Sequence, residues 1–140
     1  MGLFKVKVGI GIQRNGARVV FPESLDLLVD TGATYTTIPK YLLEKLGAEP
    51  VGEMPVRLAD GRIVEKKYGG IWLNILGRPV SVTVLFGDEN DIPILGATSL
   101  EQAGFGVDPV TKQLIPTQAI QASLIRKFPL PSGEPFASSP

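Results

Sequence analysis

One segment of this chain brings together residue types that can act on a substrate. Leu28-Val29-Asp30-Thr31-Gly32-Ala33-Thr34 is an apolar run that delivers a carboxylate, followed by a hydroxyl and a glycine. A strand ending on Asp30 holds the acid at the edge of a packed core. Thr31 offers a hydroxyl that can bond across to another backbone. Gly32, lacking a Cβ, permits a tight turn and close approach of a ligand. A second segment, Ile92-Pro93-Ile94-Leu95-Gly96, again runs apolar residues up to a glycine, with a helix expected after it. The chain has no His and no Cys. That removes Ser-His-Asp triads, Cys-His pairs, zinc sites built on those ligands, and disulfides. Acid-base chemistry then falls to carboxylates, Lys, Tyr or a bound cofactor.

Each feature also has a plainer reading. Asp, Thr and Gly are common turn residues, so Asp30-Thr31-Gly32 alone reads equally as a turn after a strand. Residues 92–96 alone read as a buried strand end. Asp60-Gly61 alone reads as a surface hairpin. Gly9-Ile10-Gly11 with Gly16 has the wrong spacing for a nucleotide loop, and no helix follows. Asp88-Glu89-Asn90-Asp91 lacks the spaced ligands of a calcium loop and reads as a solvated turn. Trp72 reads as core or interface packing.

The elements that must position Asp30 are short and strand-like. Sixteen Gly and twelve Pro punctuate the chain at close intervals (Gly 16, Pro 12). Alternation predicts a strand over residues 4–12, a turn at Asn15-Gly16, and a return strand over 18–21. Residues 25–29 read as a buried strand and 35–38 as another. Pro39 fits the first position of a helix over 41–46, closed by Gly47. Residues 56–58 and 63–67 flank Asp60-Gly61 as a hairpin. Residues 71–76 and 80–86 form a further pair joined through Gly77-Arg78-Pro79, with Val80, Val82, Val84 and Phe86 on one face. Thr98 is placed to cap a helix over 99–103, with Glu101 completing a capping box and Gly104 ending it. Residues 105–107 and 113–115 read as a closing hairpin. Residues 119–128 show a weak helical spacing, and 129–140 read as a disordered tail.

The length of 140 residues fits one domain with a short tail. Hydrophobic residues at 44% and charged residues at 20% suffice for a packed core. Fourteen Lys and Arg (14) balance fourteen Asp and Glu (14). That balance argues against a nucleic-acid partner. The start alternates Lys5 and Lys7 with apolar residues, so it is not a signal peptide. No apolar run reaches membrane length. The expected compartment is the cytoplasm, with no membrane partner.

Taken together, Leu28 to Thr34, the Asp60-Gly61 hairpin and Ile94-Leu95-Gly96 resemble the retropepsin-like aspartic proteases of clan AA. The resemblance covers residues 4–116. The family pattern is apolar-apolar-Asp-Thr/Ser-Gly-Ala, a β-hairpin flap, then apolar-Leu-Gly and a short helix, and all parts occur here in order. The resemblance implies a mostly β, closed-barrel single lobe with one or two short helices, over residues 1–117. A C-terminal extension over 118–128 and the tail over 129–140 follow. It makes Asp30 the catalytic carboxylate, Thr31 the source of a cross-subunit hydrogen bond, Gly32 the substrate-facing turn and Ala33 a cleft residue. The flap is residues 57–63, with Leu58, Ala59, Asp60, Gly61 and Arg62 toward substrate. Ile94, Leu95 and Gly96 back the active-site loop. Viral members commonly carry an Asp after Gly-Ala and an Arg after Leu-Gly; here the matching residues are Thr34 and Ala97, so the chain looks like a prokaryote-style member. Asp60 and Arg62, in place of a Gly-rich tip, are expected to influence substrate preference.

The implied reaction is hydrolysis of peptide bonds by water activated between two carboxylates. This chain has one Asp-Thr-Gly and no room for a second lobe. The resemblance therefore implies a homodimer with one Asp30 from each subunit, a peptide or protein substrate, and no cofactor or metal. A second class stays open: a retropepsin-like domain kept for dimerisation or peptide binding, with weak or absent hydrolysis.

Overall fold

In the computed structural model the described residues are 3–118, and the expected segments at 119–128 and 129–140 lie outside them. Nine strands and two short helices form from this stretch. β1 (Lys5–Gly11) pairs antiparallel with β2 (Glu23–Val29), from Lys5 opposite Leu28 to Ile10 opposite Glu23. β3 (Thr36–Pro39) leads into α1 (Lys40–Leu46). β4 (Gly52–Arg57) and β5 (Ile63–Ile75) form a hairpin, and β5 and β6 (Arg78–Gly87) form a second one. β7 (Ile94–Leu95) precedes α2 (Ala97–Ala103). β8 (Phe105–Asp108) and β9 (Gln113–Pro116) make a separate two-stranded sheet. The main sheet runs β1-β2-β7-β3-β6-β5-β4, and β1 also pairs with β5.

Alternation along these strands builds the core. Val8 and Ile10, Leu27 and Val29, Ile71, Leu73 and Ile75, and Val82 and Val84 all point inward and are buried. Ile38, Leu43 and Leu95 complete the cluster. The face expected on residues 80–86 is present, with Ser81 exposed on the other side. Residues 25–29 are not uniformly buried. They alternate, with Leu27 and Val29 inside and Asp26 outside, as befits a sheet with one packed face.

Several local expectations need correction. The return strand expected over 18–21 is irregular, and pairing resumes at Glu23. Pro22 lacks the amide a ladder needs, and the Val20 backbone crosses tightly over Gly11, where a Cβ has no room. Asn15 and Gly16 do turn with positive φ, 50° and 71°. Pro39 is not the first helical residue; it ends β3 and sits at the N-cap with ψ 136°. The turn between β5 and β6 is Leu76-Gly77, φ 50° and 88°, with Arg78 already in the strand opposite Ile75. The expected strands at 63–67 and 71–76 merge into one thirteen-residue strand (13 res) that ends at Ile75, leaving Leu76 to the turn. Its first half pairs with β4 and its second with β6 and β1. Thr98 caps nothing. α2 starts at Ala97 behind Gly96, without a side-chain cap, so the capping box with Glu101 is not made. Gly47 and Gly104 close their helices in the left-handed conformation, as expected.

Candidate active site

The turn after β2 is built from inside outward. Val29 is buried and its amide bonds to the Phe4 carbonyl at 2.8 Å. β7 lies beside β2 in parallel, Leu28 opposite Ile94 and Val29 opposite Leu95, and also touches β3 at Thr37. β7 is thus threaded between the strands that enter and leave the Asp30 turn. The Asp30 amide bonds to the Leu95 carbonyl at 3.1 Å. Asp30 itself is half-buried; its Oδ1 accepts from the Gly32 amide at 2.9 Å, and the Ala33 amide returns to the Asp30 carbonyl at 3.1 Å. Thr31 and Gly32 are exposed at the outer edge of this turn.

A set of neutral hydrogen bonds clamps the other side. The Ala97 amide donates to the Ala33 carbonyl at 2.8 Å, and the Thr98 amide to the Thr34 carbonyl at 3.0 Å. The Thr98 hydroxyl donates to that same Thr34 carbonyl at 2.8 Å. This is why Thr98 is not a cap: its hydroxyl is spent on the loop. Deeper in, the Gly96 amide donates to Thr36 Oγ1 at 3.0 Å, and Thr36 Oγ1 and Ser99 Oγ lie 2.7 Å apart, both residues fully buried. A Cβ on Gly96 would lie 2.5 Å from the Tyr35 carbonyl atoms. Only glycine lets the two segments approach this closely. Thr34 and Ala97 are both uncharged, and their segments are joined by the Ala97 amide to the Ala33 carbonyl and by Thr98 to the Thr34 carbonyl.

A cleft of about 600 Å³ opens beside Asp30. Its near wall is Asp30, Gly32, Ala33, Thr34 and Tyr35; its floor includes Thr37, Leu85 and Ile94; its far wall is the β4 side of the hairpin, from Met54 to Ala59. Of the expected flap residues, Arg57, Leu58 and Ala59 line this cleft. Asp60 and Gly61 lie exposed at the tip, and Arg62 lines a second cavity of about 550 Å³, which Leu58 also borders. Asp60 and Arg62 engage each other at 2.7 Å. The Arg62 amide, then its guanidinium, hold the Asp60 carboxyl below the usual carboxylate range. Leu95 and Gly96 are buried behind the turn, and Ile94 reaches the cleft.

The second cavity is walled by charged groups and holds no Asp30. There Lys66 on β5 bonds Asp91 at 2.8 Å and Asp88 at 3.2 Å. The acidic loop is thus pinned to the hairpin rather than simply solvated. The hydrogen bond to Asp91 raises the Lys66 pKa, against the opposing effect of burial. Burial alone would push Asp91 up, but the Lys66 hydrogen bond, the Asp88 amide and the Lys66 charge together hold it below its ordinary value.

Sequence reasoning did not reach Thr36, Ser99, Tyr35, Met54 or Leu85. Met54 has a signal, since the alternation Met54, Val56, Leu58 extends the expected strand at 56–58 backward, although Pro55 between them is a residue that strands disfavour. An edge strand with one neighbour accommodates that proline. Thr36 and Ser99 meet across sixty-three positions (|i−j|=63), and no local pattern marks such a pair.

The fold and this turn define a class: a mostly β lobe that presents one carboxylate, on a clamped turn, to a cleft walled by a hairpin. The family model described as aspartyl protease matches residues 11–98, and the chain belongs to that family, in its retropepsin-like branch. No curated protein matches the chain. Among the described residues no helix is long and apolar enough to cross a membrane.

Proposed function

We propose that the chain is an aspartic endopeptidase whose catalytic dyad is Asp30 from each of two identical subunits. The observation that carries this reading is the position of Asp30: a half-buried carboxylate on a clamped turn, at the wall of a cleft large enough for substrate side chains. The run of pairings β1-β2-β7-β3-β6-β5 and back to β1 supports reading the lobe as a closed barrel. Thr31 and Gly32 stand exposed next to Asp30, where a second copy related by a two-fold axis would meet them.

In the dimer two carboxylates about 3 Å apart share one proton, because both cannot ionise easily at that distance. The ionised Asp30 takes a proton from water, which attacks the carbonyl carbon of the scissile amide. The protonated Asp30 donates to the carbonyl oxygen, giving a neutral gem-diol. The gem-diol then collapses: a hydroxyl proton returns to a carboxylate, the C–N bond breaks, and the leaving nitrogen is protonated by the other acid. The dyad titrates as a unit. Thr31 braces the pair from below, and Ala33, Leu58, Ala59 and Ile94 contact substrate. Leu95 and Gly96 support the turn.

The test is cleavage of a peptide library by wild-type protein and by Asp30→Asn, across acidic to neutral pH. Cleavage by wild type, lost in Asp30→Asn while its circular dichroism and melting remain intact, is expected. Equal cleavage by both proteins would rule the reading out. Binding of the same peptides by both, with no cleavage by either, would mark a peptide-binding domain.

A further inference from the structure

Among the described residues, the cleft beside Asp30 is lined by two charged ones, Asp30 itself and Arg57. Arg57 closes β4 opposite Ile63 and is exposed to the cleft side of the hairpin. The other arginines with contacts are occupied elsewhere. Arg62 pairs with Asp60; Arg14 donates to the Leu46 carbonyl; Arg78 donates to the Ala103 carbonyl and lies over Phe105. Arg57 makes no ion pair among the described residues. Its one side-chain hydrogen bond among the described residues is a long one, from Nη1 to the Gly61 carbonyl at 3.3 Å. That bond holds the guanidinium against the hairpin and leaves its remaining N–H donors unclaimed. The same cleft is lined by the apolar Met54, Val56, Leu58, Leu85 and Ile94.

From this arrangement we infer that Arg57 is a specificity-determining residue that selects peptides carrying a Glu or Asp close to apolar residues at the bound centre. The inference rests on the proposed peptide-cleft reading. A guanidinium matches a carboxylate in a two-bond fork, and such pairs are stronger than neutral hydrogen bonds. A bound peptide shields the pair from water, so the attraction exceeds that of an open surface pair. The Asp60–Arg62 pair at the tip neutralises itself and leaves this selection to Arg57. The expected peptide is therefore mixed in character, with apolar side chains for the floor and one acid for the hairpin wall.

The test separates binding from hydrolysis. Full-length Asp30→Asn protein is titrated with fluorescent peptides of apolar residues in which Glu, Gln or Lys is placed at each position in turn. At the preferred position Glu is expected to bind roughly tenfold tighter than Gln, the scale of one charge-assisted hydrogen-bond pair. That ratio should shrink as salt rises toward about 0.5 M. It should fall to near one in Arg57→Gln and turn toward Lys in Arg57→Glu. Equal binding of Glu and Gln peptides at every position would overturn the inference. So would a Glu preference that survives in Arg57→Gln, or a loss in Arg57→Gln that falls equally on Glu and Gln peptides, which would mark a purely structural role. Wild-type cleavage without acidic preference would sink the Arg57 assignment alone. Acidic preference in binding without any wild-type cleavage would sink the protease reading alone.

Discussion

Thr36 shows how a single buried hydroxyl can brace the Asp30 turn without touching Asp30. Its oxygen accepts from the Gly96 amide, and its hydroxyl is hydrogen-bonded to that of Ser99, 2.7 Å away in the core. Replacing it with Val keeps the shape and removes both partnerships. Thr36→Val is expected to cost about 1–3 kcal/mol, because the Gly96 amide and the Ser99 hydroxyl stay buried without partners. Urea unfolding measures the loss; a cost within error of zero would mean that water replaces the hydroxyl. Gly96 is the harsher case. Gly96→Ala must force the Tyr35 backbone away by several tenths of an ångström. That displaces the loop carrying Ala33 and Thr34 as well as destabilising the fold. The expected result is a melting temperature lowered by several degrees, with peptide binding by the cleft impaired.

At the scale of elements, the β5–β6 hairpin contains a tolerated misfit. Its two-residue turn needs positive φ at both positions, and Leu76 occupies one of them at 50° while 59% exposed. A left-handed conformation costs a branched residue about 1 kcal/mol. Leu76→Asn or Leu76→Gly is therefore expected to raise stability by about 0.5–1 kcal/mol, read as a higher urea midpoint. No gain would mean that Leu76 packing beside Phe4 and Val6 offsets the strain. The Lys66 bridge ties the middle of β5 to the loop before β7. Because folding lowers the Asp91 pKa, its contribution is fully present above the ordinary carboxylate value near 4 and is lost as pH falls through the folded value. Lys66, raised by its bond to Asp91, stays charged throughout that range. Asp91→Asn is expected to destabilise by about 0.5–1 kcal/mol at pH 7, discounted for the 37% exposure of the Asp91 side chain. The gap between wild type and variant should close toward pH 3. A gap that does not depend on pH would show that the loop is held by the Asp88 amide bond rather than by charge.

For the whole molecule, the proposed dyad would make activity a property of two chains. If the proposed dyad is right, specific activity falls on dilution in step with the dimer fraction seen by sedimentation. Mixing wild type with excess Asp30→Asn should poison activity by forming heterodimers with one competent acid. Activity strictly proportional to protein at every dilution, from a species of monomer mass, would contradict the shared dyad.

The sequence by itself determined the local and the periodic. Strand alternation marked residues 4–12 as a strand and put Val80, Val82, Val84 and Phe86 on one face, because period two follows from the pleat. Asp30-Thr31-Gly32 and Ile94-Leu95-Gly96 were legible as motifs, and Gly47 and Gly104 as helix ends, because each depends on a few adjacent residues. What only the tertiary structure decided is what meets across long separations. It placed β7 between β2 and β3, spent the Thr98 hydroxyl on Thr34 instead of a cap, joined Thr36 to Ser99, and turned Arg57 to the cleft while Arg62 went to the second cavity. A hydroxyl or guanidinium has several partners within reach of its own neighbourhood, with similar energies. Which one it takes is settled by the packing of strands that are distant in sequence, and the chain's local pattern does not encode that choice.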